Sequence, residues 1–389
     1  MKTSISPLVS AIALNAIFGN EPKLSRRLVA ELGSAEAVFA LSGRERLELF
    51  GPYNARAAQI GPAALEAAHA EYERLSAAGC QFLDCFSPGY PPLLRECPDA
   101  PLLLYVRSVS PAAGLFGDRP AVAVVGTRDP SLYGQECCRR IVQALAAAPA
   151  RPAVVSGLAL GVDITAHAAA LAGGLPTVAV SPTGVDDVYP RRHRAFAERM
   201  VSTPGCALVT DYPPGTVPRP FNFLRRNRII AGLAGATVLV ESRIRGGGMI
   251  TARLAAGYGR DVFAVPGRID DLRSQGCNRL IREQIAAPIT DPEALPAALG
   301  LGRAPRSRTA DLEEAVRQRF SPALPEAEVG QLVRLASAVR DRRGIGFDEL
   351  CRETALDYPA VARGAGLLEE EGFIRIDLLQ RCTINIKNA

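Results

Sequence analysis

The segment Phe221-Asn222-Phe223-Leu224-Arg225-Arg226-Asn227-Arg228 sets two aromatic rings beside three guanidiniums and a side-chain amide. Rings offer stacking faces and guanidiniums fork onto phosphate oxygens, the combination that an unpaired nucleic acid asks for. The same residue types also suit an interior, with Phe221 and Phe223 capping a sheet and the arginines solvated or paired with Asp211 and Glu241. The octapeptide alone leaves both readings open. A second candidate chemistry is weaker. Asp163 and His167 are spaced i, i+4 on one helical face, just after Ser156. A hydrolytic relay needs the acid behind the base, so the pair is read as anchoring a loop, and no catalytic residue is expected. The three histidines (His69, His167, His193) lie far apart, and the nine cysteines form no C-x-x-C pair. That spacing predicts no metal, no cofactor and reduced thiols in place of a disulfide frame.

The elements that would position these groups are visible as short β-branched runs. They begin at residue 121 and recur at residues 153, 177, 207, 237 and 262, with Ala/Arg-rich helical stretches between them. Strands apolar on both faces and alternating with helices predict a parallel sheet covered on both sides, the doubly wound, Rossmann-like α/β class. Ligands of such sheets lie outside the carboxyl ends of the strands. Here nearly every strand runs into glycine: Gly126-Thr127-Arg128, Ser156-Gly157, Thr183-Gly184, Gly246-Gly247-Gly248 and Pro266-Gly267. Glycine lets backbone N–H groups close on an anion at a helix start, and it equally serves a tight strand-to-helix turn. Neither G-x-G-x-x-G nor G-x-x-x-x-G-K-[ST] occurs, so the usual NAD and ATP phosphate loops are missing.

At 389 residues the chain has room for two or three domains, and its composition along the chain divides it into three. Residues 1–80 read as a helical module, with a helix over 24–32 stopped by Gly33 and another over 62–78; such helices fit a helix-hairpin-helix-like unit or a plain bundle. Residues 81–300 hold the α/β core. Residues 301–309, polar, basic and Pro/Gly-bearing, read as a linker that extends to residue 325 through a small amphipathic stretch. Residues 326–389 read as helices 326–341, 347–353 and 358–371 followed by strands 372–377 and 380–386, the plan of a winged helix. Its third helix carries Asp357, Arg363, Glu369, Glu370 and Glu371 and is net acidic, which argues against a grip on DNA. Formal charge is only +5, but 42 of the 45 basic residues are arginine, and residues 188–282 hold 16 arginines against 6 acids, a net +10. That is the footprint of a polyanion partner. No apolar run of about 18 residues appears, and Ser and Asn interrupt the N-terminal apolar stretch, so the cytoplasm is expected.

Val124-Val125-Gly126-Thr127-Arg128, Ser156-Gly157-Leu158-Ala159-Leu160-Gly161-Val162-Asp163-Ile164-Thr165-Ala166-His167, Tyr189-Pro190, Phe223 through Leu233 and Phe263-Ala264-Val265-Pro266-Gly267 together resemble the DNA-processing protein A family (DprA, also called Smf). The blocks run in order from about residue 90 to residue 289; the flanks look like the family's SAM-like helical module and small winged-helix domain. The resemblance implies a homodimer that binds single-stranded DNA in a basic pocket and helps load the RecA recombinase during natural transformation. Carried over by position, Arg128, Arg226, Asn227 and Arg228 would grip phosphates, Phe223 would stack on or wedge a base, and Gly246, Gly247 and Gly248 would offer backbone donors. Gly126, Thr127, Ser156, Gly157, Arg219 and Arg225 complete the expected DNA-binding set. The sequence departs from the family at Thr127 (usually Ser), Leu224 (usually Pro), Pro220 (often basic, so that Arg219 would substitute) and Gly248-Met249 (usually Ser-Leu). A rival from another class, a Rossmann-like nucleotide phosphoribohydrolase of the lysine-decarboxylase-like type, needs P-G-G-x-G-T-x-x-E; here Arg245 precedes the glycines and no Glu lies four residues on. A third reading is a protein-interaction scaffold working through its winged helix.

Overall fold

The computed structural model describes residues 6–117, 119–302, 308–342, 344–377 and 380–384, which fall into two compact units, Met1–Arg303 and Ala304–Ala389. The first is mixed α/β, built on a mostly parallel nine-stranded sheet in the order β1-β2-β6-β5-β4-β3-β7-β8-β9. The strands are β1 (Cys80–Asp84), β2 (Leu103–Arg107), β3 (Ala121–Val125), β4 (Ala153–Ser156), β5 (Thr177–Val180), β6 (Ala207–Thr210), β7 (Ala236–Leu239), β8 (Asp261–Ala264) and β9 (Ala287–Pro288). Strands β3 to β9 pair in parallel, whereas β2 joins β6 and β1 joins β2 antiparallel.

Alternation decides which face each residue serves. Val122, Val124, Val154 and Val238 pack with Cys138, Ile141, Val162 and Ala166 of the helices Leu132–Ala147 and Val162–Ala172. Ala123, Val125, Val155 and Leu239 pack on the other face with Ile229, Ile230, Ala252 and Ala255 of the helices Pro220–Leu233 and Gly247–Gly257. The strand order turns at β3: the chain builds outward through β4, β5 and β6, then returns to place β7 on the other side of β3. A crevice opens at such a turning point, outside the carboxyl ends of the two strands.

The expected boundary near residue 80 does not separate two cores. Leu14, Phe18, Leu28 and Val29 share a core with Ala123 and Val125, and Val9, Ile12 and Ala13 share another with Leu103, Tyr105 and Leu208. The helix Pro7–Phe18 is therefore buried nearly all round, which its apolar composition requires. The helix Pro22–Leu32 ends at Gly33 in the left-handed conformation (φ 88°) that glycine adopts without strain.

In the second unit, helices Glu326–Asp341, Phe347–Thr354 and Tyr358–Glu370 pack with a three-stranded antiparallel sheet ordered β10-β12-β11, formed by β10 (Ile345–Gly346), β11 (Ile374–Ile376) and β12 (Arg381–Ile384). The expected linker needs correction. Residues 303–307 lie outside the described residues, but Arg308–Phe320 is a helix whose Leu312, Val316 and Phe320 are buried in this unit's core. Their i, i+4, i+8 spacing is the apolar stripe of the amphipathic stretch expected there, and it joins this unit's core instead of running free as a linker. Among the described residues, no helix is long and apolar enough to cross a membrane.

Candidate nucleic-acid interface

A cleft of about 560 Å³ occupies the crevice between β3 and β7. Gly126, Thr127 and Arg128 form one wall, Ser242, Arg243 and Arg245 to Gly248 a second, and Pro218, Pro220, Phe223, Arg226 and Asn227 a third, with Tyr189 at the rim. Two of the walls are tied together behind the cleft. Thr127 N–H donates to the Glu241 carbonyl (2.7 Å), and the buried Glu241 carboxylate accepts from Ser131 N–H (2.9 Å) and Ser131 Oγ (2.5 Å). Ser131 Oγ in turn accepts from Gly134 N–H, capping the helix Leu132–Ala147. Neither Glu241 nor Ser131 belongs to the expected set; their only sequence signal is an acid following β7 and a Ser at a helix start.

The glycines allow backbones to approach. A Cβ on Gly126 would come within 2.6 Å of Val162 and 2.9 Å of the Glu241 carbonyl, and one on Gly248 within 2.7 Å of Leu239 and 3.2 Å of Gly126 Cα. The helix Gly247–Gly257 thus starts hard against the β3 turn, with no side chain capping its first N–H groups. Those groups and the helix dipole face the cleft, an arrangement suited to an anion. Asn227 Nδ2 donates to the Gly247 carbonyl (3.3 Å) and fixes the loop.

Phe223 stands half-buried in the wall, with Tyr189 edge-on to it (centroids 5.2 Å apart) and the exposed Arg128 guanidinium 4.7 Å above its centroid. Arg226 is 3% exposed. Its guanidinium lies over Gly157, where any Cβ would collide with it; Nη1 donates to the Val180 carbonyl, and buried Nε has no partner. Burial pulls its pKa down to about 10, and the Arg128 charge pulls the same way while Asp163 opposes. A cation left short of partners in a polar cleft is a site that an incoming anion completes.

The expected set divides by geometry. Gly126, Thr127, Arg128, Phe223, Arg226, Asn227, Gly246, Gly247 and Gly248 come together at the cleft. Five residues do not line it. Ser156 is fully buried, its Oγ donating to the Val124 carbonyl (2.7 Å), and Gly157 serves only as the floor under Arg226. Arg225 and Arg228 turn to the opposite side of their helix, where both pair with buried Asp211. Successive residues of a helix step by about 100°, so positions 223, 226, 227 and 230 share one face and 225 and 228 another. Arg225 also binds the Gly19 carbonyl and Asn20 Oδ1, and Arg228 the Asp99 carbonyl. Arg219 is exposed on a neighbouring cleft. The +10 segment is likewise partly neutralised: 8 of its 16 arginines form ion pairs with carboxylates, whereas the exposed Arg243 and Arg245 form none among the described residues.

Ser156, Asp163 and His167 form no relay. His167 Nδ1 meets Thr177 Oγ1 (2.6 Å), and that hydroxyl donates to the Val154 carbonyl, so Nδ1 carries the proton and the buried Nε2 is bare. Burial, with Arg226 and His193 nearby, pushes the His167 pKa down to about 3. Asp163 lines the cleft floor, accepts from Ala159 N–H (3.3 Å), and has its pKa raised by burial against the opposing charge of Arg226.

A family model described as DNA recombination-mediator protein A matches residues 81–300. Protein Smf of Synechocystis is 31% identical over 312 residues, covering 76% of this chain and 77% of that protein. Protein Smf of Escherichia coli is 37% identical over 259 residues, covering 66% and 67%. Among solved structures, the X-ray structure of DNA processing protein A from Streptococcus pneumoniae is 30% identical with a TM-score of 0.54, covering 76% of this chain and 94% of that one. DNA processing protein A from Helicobacter pylori, solved for its single-stranded DNA binding mode, is 27% identical with a TM-score of 0.50, covering 57% and 95%. With its matched region spanning more than half of its length, this chain belongs to the DNA recombination-mediator protein A family, whose members are named DprA and Smf.

Proposed function

We propose that this protein is a non-enzymatic, single-stranded DNA-binding recombination mediator acting at the cleft between β3 and β7. The observation that carries the reading is the convergence, in one cleft, of an uncapped glycine helix start, the partner-short Arg226 and the Phe223–Tyr189 pair. Phosphates would sit at the 246–248 N–H groups and on Arg128, Arg226 and Arg245, with a base on Phe223. Unpaired strands expose the faces such a ring needs, which supports a preference for single over double strands. The relative from Helicobacter pylori, named for its single-stranded DNA binding mode, supports the same ligand. Commitment of the Ser156 hydroxyl to a backbone carbonyl supports a binding role without catalysis.

The family resemblance extends the reading to a cytoplasmic homodimer that hands single strands to RecA recombinase during natural transformation. Exposed Leu132, Tyr133, Ile269 and Leu272 support the dimer: Tyr133 Oη donates to the Pro266 carbonyl, which pins their two segments into one apolar patch. By the same resemblance, residues 1–80 are read as a SAM-like module, 81–300 as the Rossmann-like DNA-binding part and 326–389 as a winged-helix domain.

The test is fluorescence anisotropy with single- and double-stranded oligonucleotides across a salt series. We expect tighter binding of single strands, with affinity falling log-linearly in salt at about 0.7 per phosphate contacted. Equal affinity for both, or binding indifferent to salt, refutes the reading.

A further inference from the structure

Behind the first cleft lies a second, of about 350 Å³, lined by Asn20, Tyr212, Val217, Arg219, Asn222 and Arg225 among others. One stretch of chain separates the two. Pro218 and Pro220 face the first cleft and Val217 and Arg219 the second, the alternation of an extended backbone, with Arg219 at φ −125° and ψ 149°. The helix that follows continues the division, with Phe223, Leu224, Arg226 and Asn227 on the first side and Asn222 and Arg225 on the second. On the crest between them stands Phe221, 64% exposed and lining neither cleft.

We propose that the second cleft is a further subsite for the same single strand, reached over Phe221. The proposal rests on the reading of the first cleft. A strand leaving Phe223 meets an exposed phenyl ring at the crest, and a base can stack there whatever its identity. Beyond the crest, Arg219 is exposed and free of any ion pair among the described residues, placed to take the next phosphate. The cleft floor is already neutral towards a polyanion, because the Asp211 carboxylate is held by Arg225 and Arg228. Arg225 also lies over the Tyr212 ring, 5.2 Å from its centroid, and buried Asp211 Oδ1 has no hydrogen-bond partner. This is a polar, hydrogen-bonding pocket, the kind that fits a base edge and suits a greasy side chain poorly. The departure at Pro220 is consistent with this division: the cation stands one position earlier, where the extended backbone turns it to the second cleft.

The test uses the full chain and oligothymidylates of about 4 and about 15 nucleotides, short enough for one cleft and long enough for both. Phe221→Ala is expected to lose about tenfold in affinity for the longer strand and far less for the shorter. Arg219→Ala is expected to flatten the salt dependence of the longer strand by about 0.7. Unchanged urea midpoints check that both variants fold. If both bind the longer strand like the parent while Arg128→Ala loses affinity for both lengths, the second subsite is overturned and the first cleft stands. An equal loss at both lengths assigns Phe221 to the first cleft and also overturns the proposal. No binding by the parent overturns both readings.

Discussion

Replacing Arg228 with alanine distinguishes a phosphate grip from a structural ion pair. The Arg228 side chain is 6% exposed and pairs with Asp211, itself 1% exposed, and its other nitrogen satisfies the Asp99 carbonyl. Removing the guanidinium leaves Asp211 to Arg225 alone, at 3.2 Å, and strands a carbonyl without a donor. Because Asp211 Oδ1 already has no partner, no spare contact can absorb the loss. Breaking a buried pair from one side costs about 3–5 kcal/mol, and the surviving Arg225 places this case near 3. In a unit of this size that corresponds to a fall in Tm on the order of 10 °C. The chain has no tryptophan, so equilibrium urea unfolding is best followed by far-UV circular dichroism, with anisotropy of a labelled single strand in parallel. Arg228→Ala should unfold at lower urea yet bind a single strand short enough for the first cleft normally once the folded fraction is counted. The reasoning is refuted if the urea midpoint is unchanged while DNA affinity falls as far as in Arg128→Ala.

The complementary variant, Arg128→Ala, should weaken binding of every sequence alike and reduce the salt slope by about 0.7, with stability changed by less than about 0.5 kcal/mol, as titrations and urea curves would show. Gly248→Ala should push the start of the helix Gly247–Gly257 off the β3 turn, costing about 1–3 kcal/mol and weakening DNA binding with it; normal affinity would show that the helix start is not a phosphate site. His167 is held neutral, with its pKa near 3 in the fold against 6.5 when unfolded. The unfolded chain therefore binds the extra proton first, and stability present above about pH 6.5 is lost as pH falls towards 3. The raised Asp163 pKa acts in the opposite sense, favouring the fold at low pH, so His167→Gln isolates the histidine: its urea midpoint should fall less than the parent's between pH 7 and pH 5. Ile269→Asp should convert the proposed dimer to monomer in sedimentation, and an unchanged mass would remove the 132–133 and 269–272 patch from the interface.

The β-branched runs located β3 to β8 to within a residue, because a strand buried on both faces must be apolar throughout, and they missed the short, exposed parallel strand β9. Antiparallel β2 escaped notice: its run Leu103–Arg107 comes just after Pro98-Asp99-Ala100-Pro101 and lacks the recurring strand-helix spacing. The candidate cleft was legible wherever it is made of backbone. Gly126 and Gly248 advertise close approach by lacking a side chain. Where it is made of helix, composition was not enough: the consecutive Arg225-Arg226-Asn227-Arg228 reads as one basic cluster, yet a step of about 100° per residue divides it between a cleft and an ion pair. Residue type could not separate Arg226 from Arg228, because both are buried and they differ only in what faces them. The amphipathic stretch before residue 325 was legible, but three apolar positions in a charged segment did not reveal that the helix Arg308–Phe320 belongs to the core of the second unit.

The tie between Thr127, Ser131 and Glu241 has a kinetic consequence. It joins the β3 and β7 walls behind the cleft with hydrogen bonds of 2.5 to 2.9 Å, and Ser131 caps the helix Leu132–Ala147. Walls braced from behind resist spreading, so most of the ordering on association should fall on the flexible strand and on side chains such as Arg128 that lie over Phe223. Encounter should therefore be limited by how fast opposite charges meet, and the rate of capture of a passing strand should fall steeply with ionic strength.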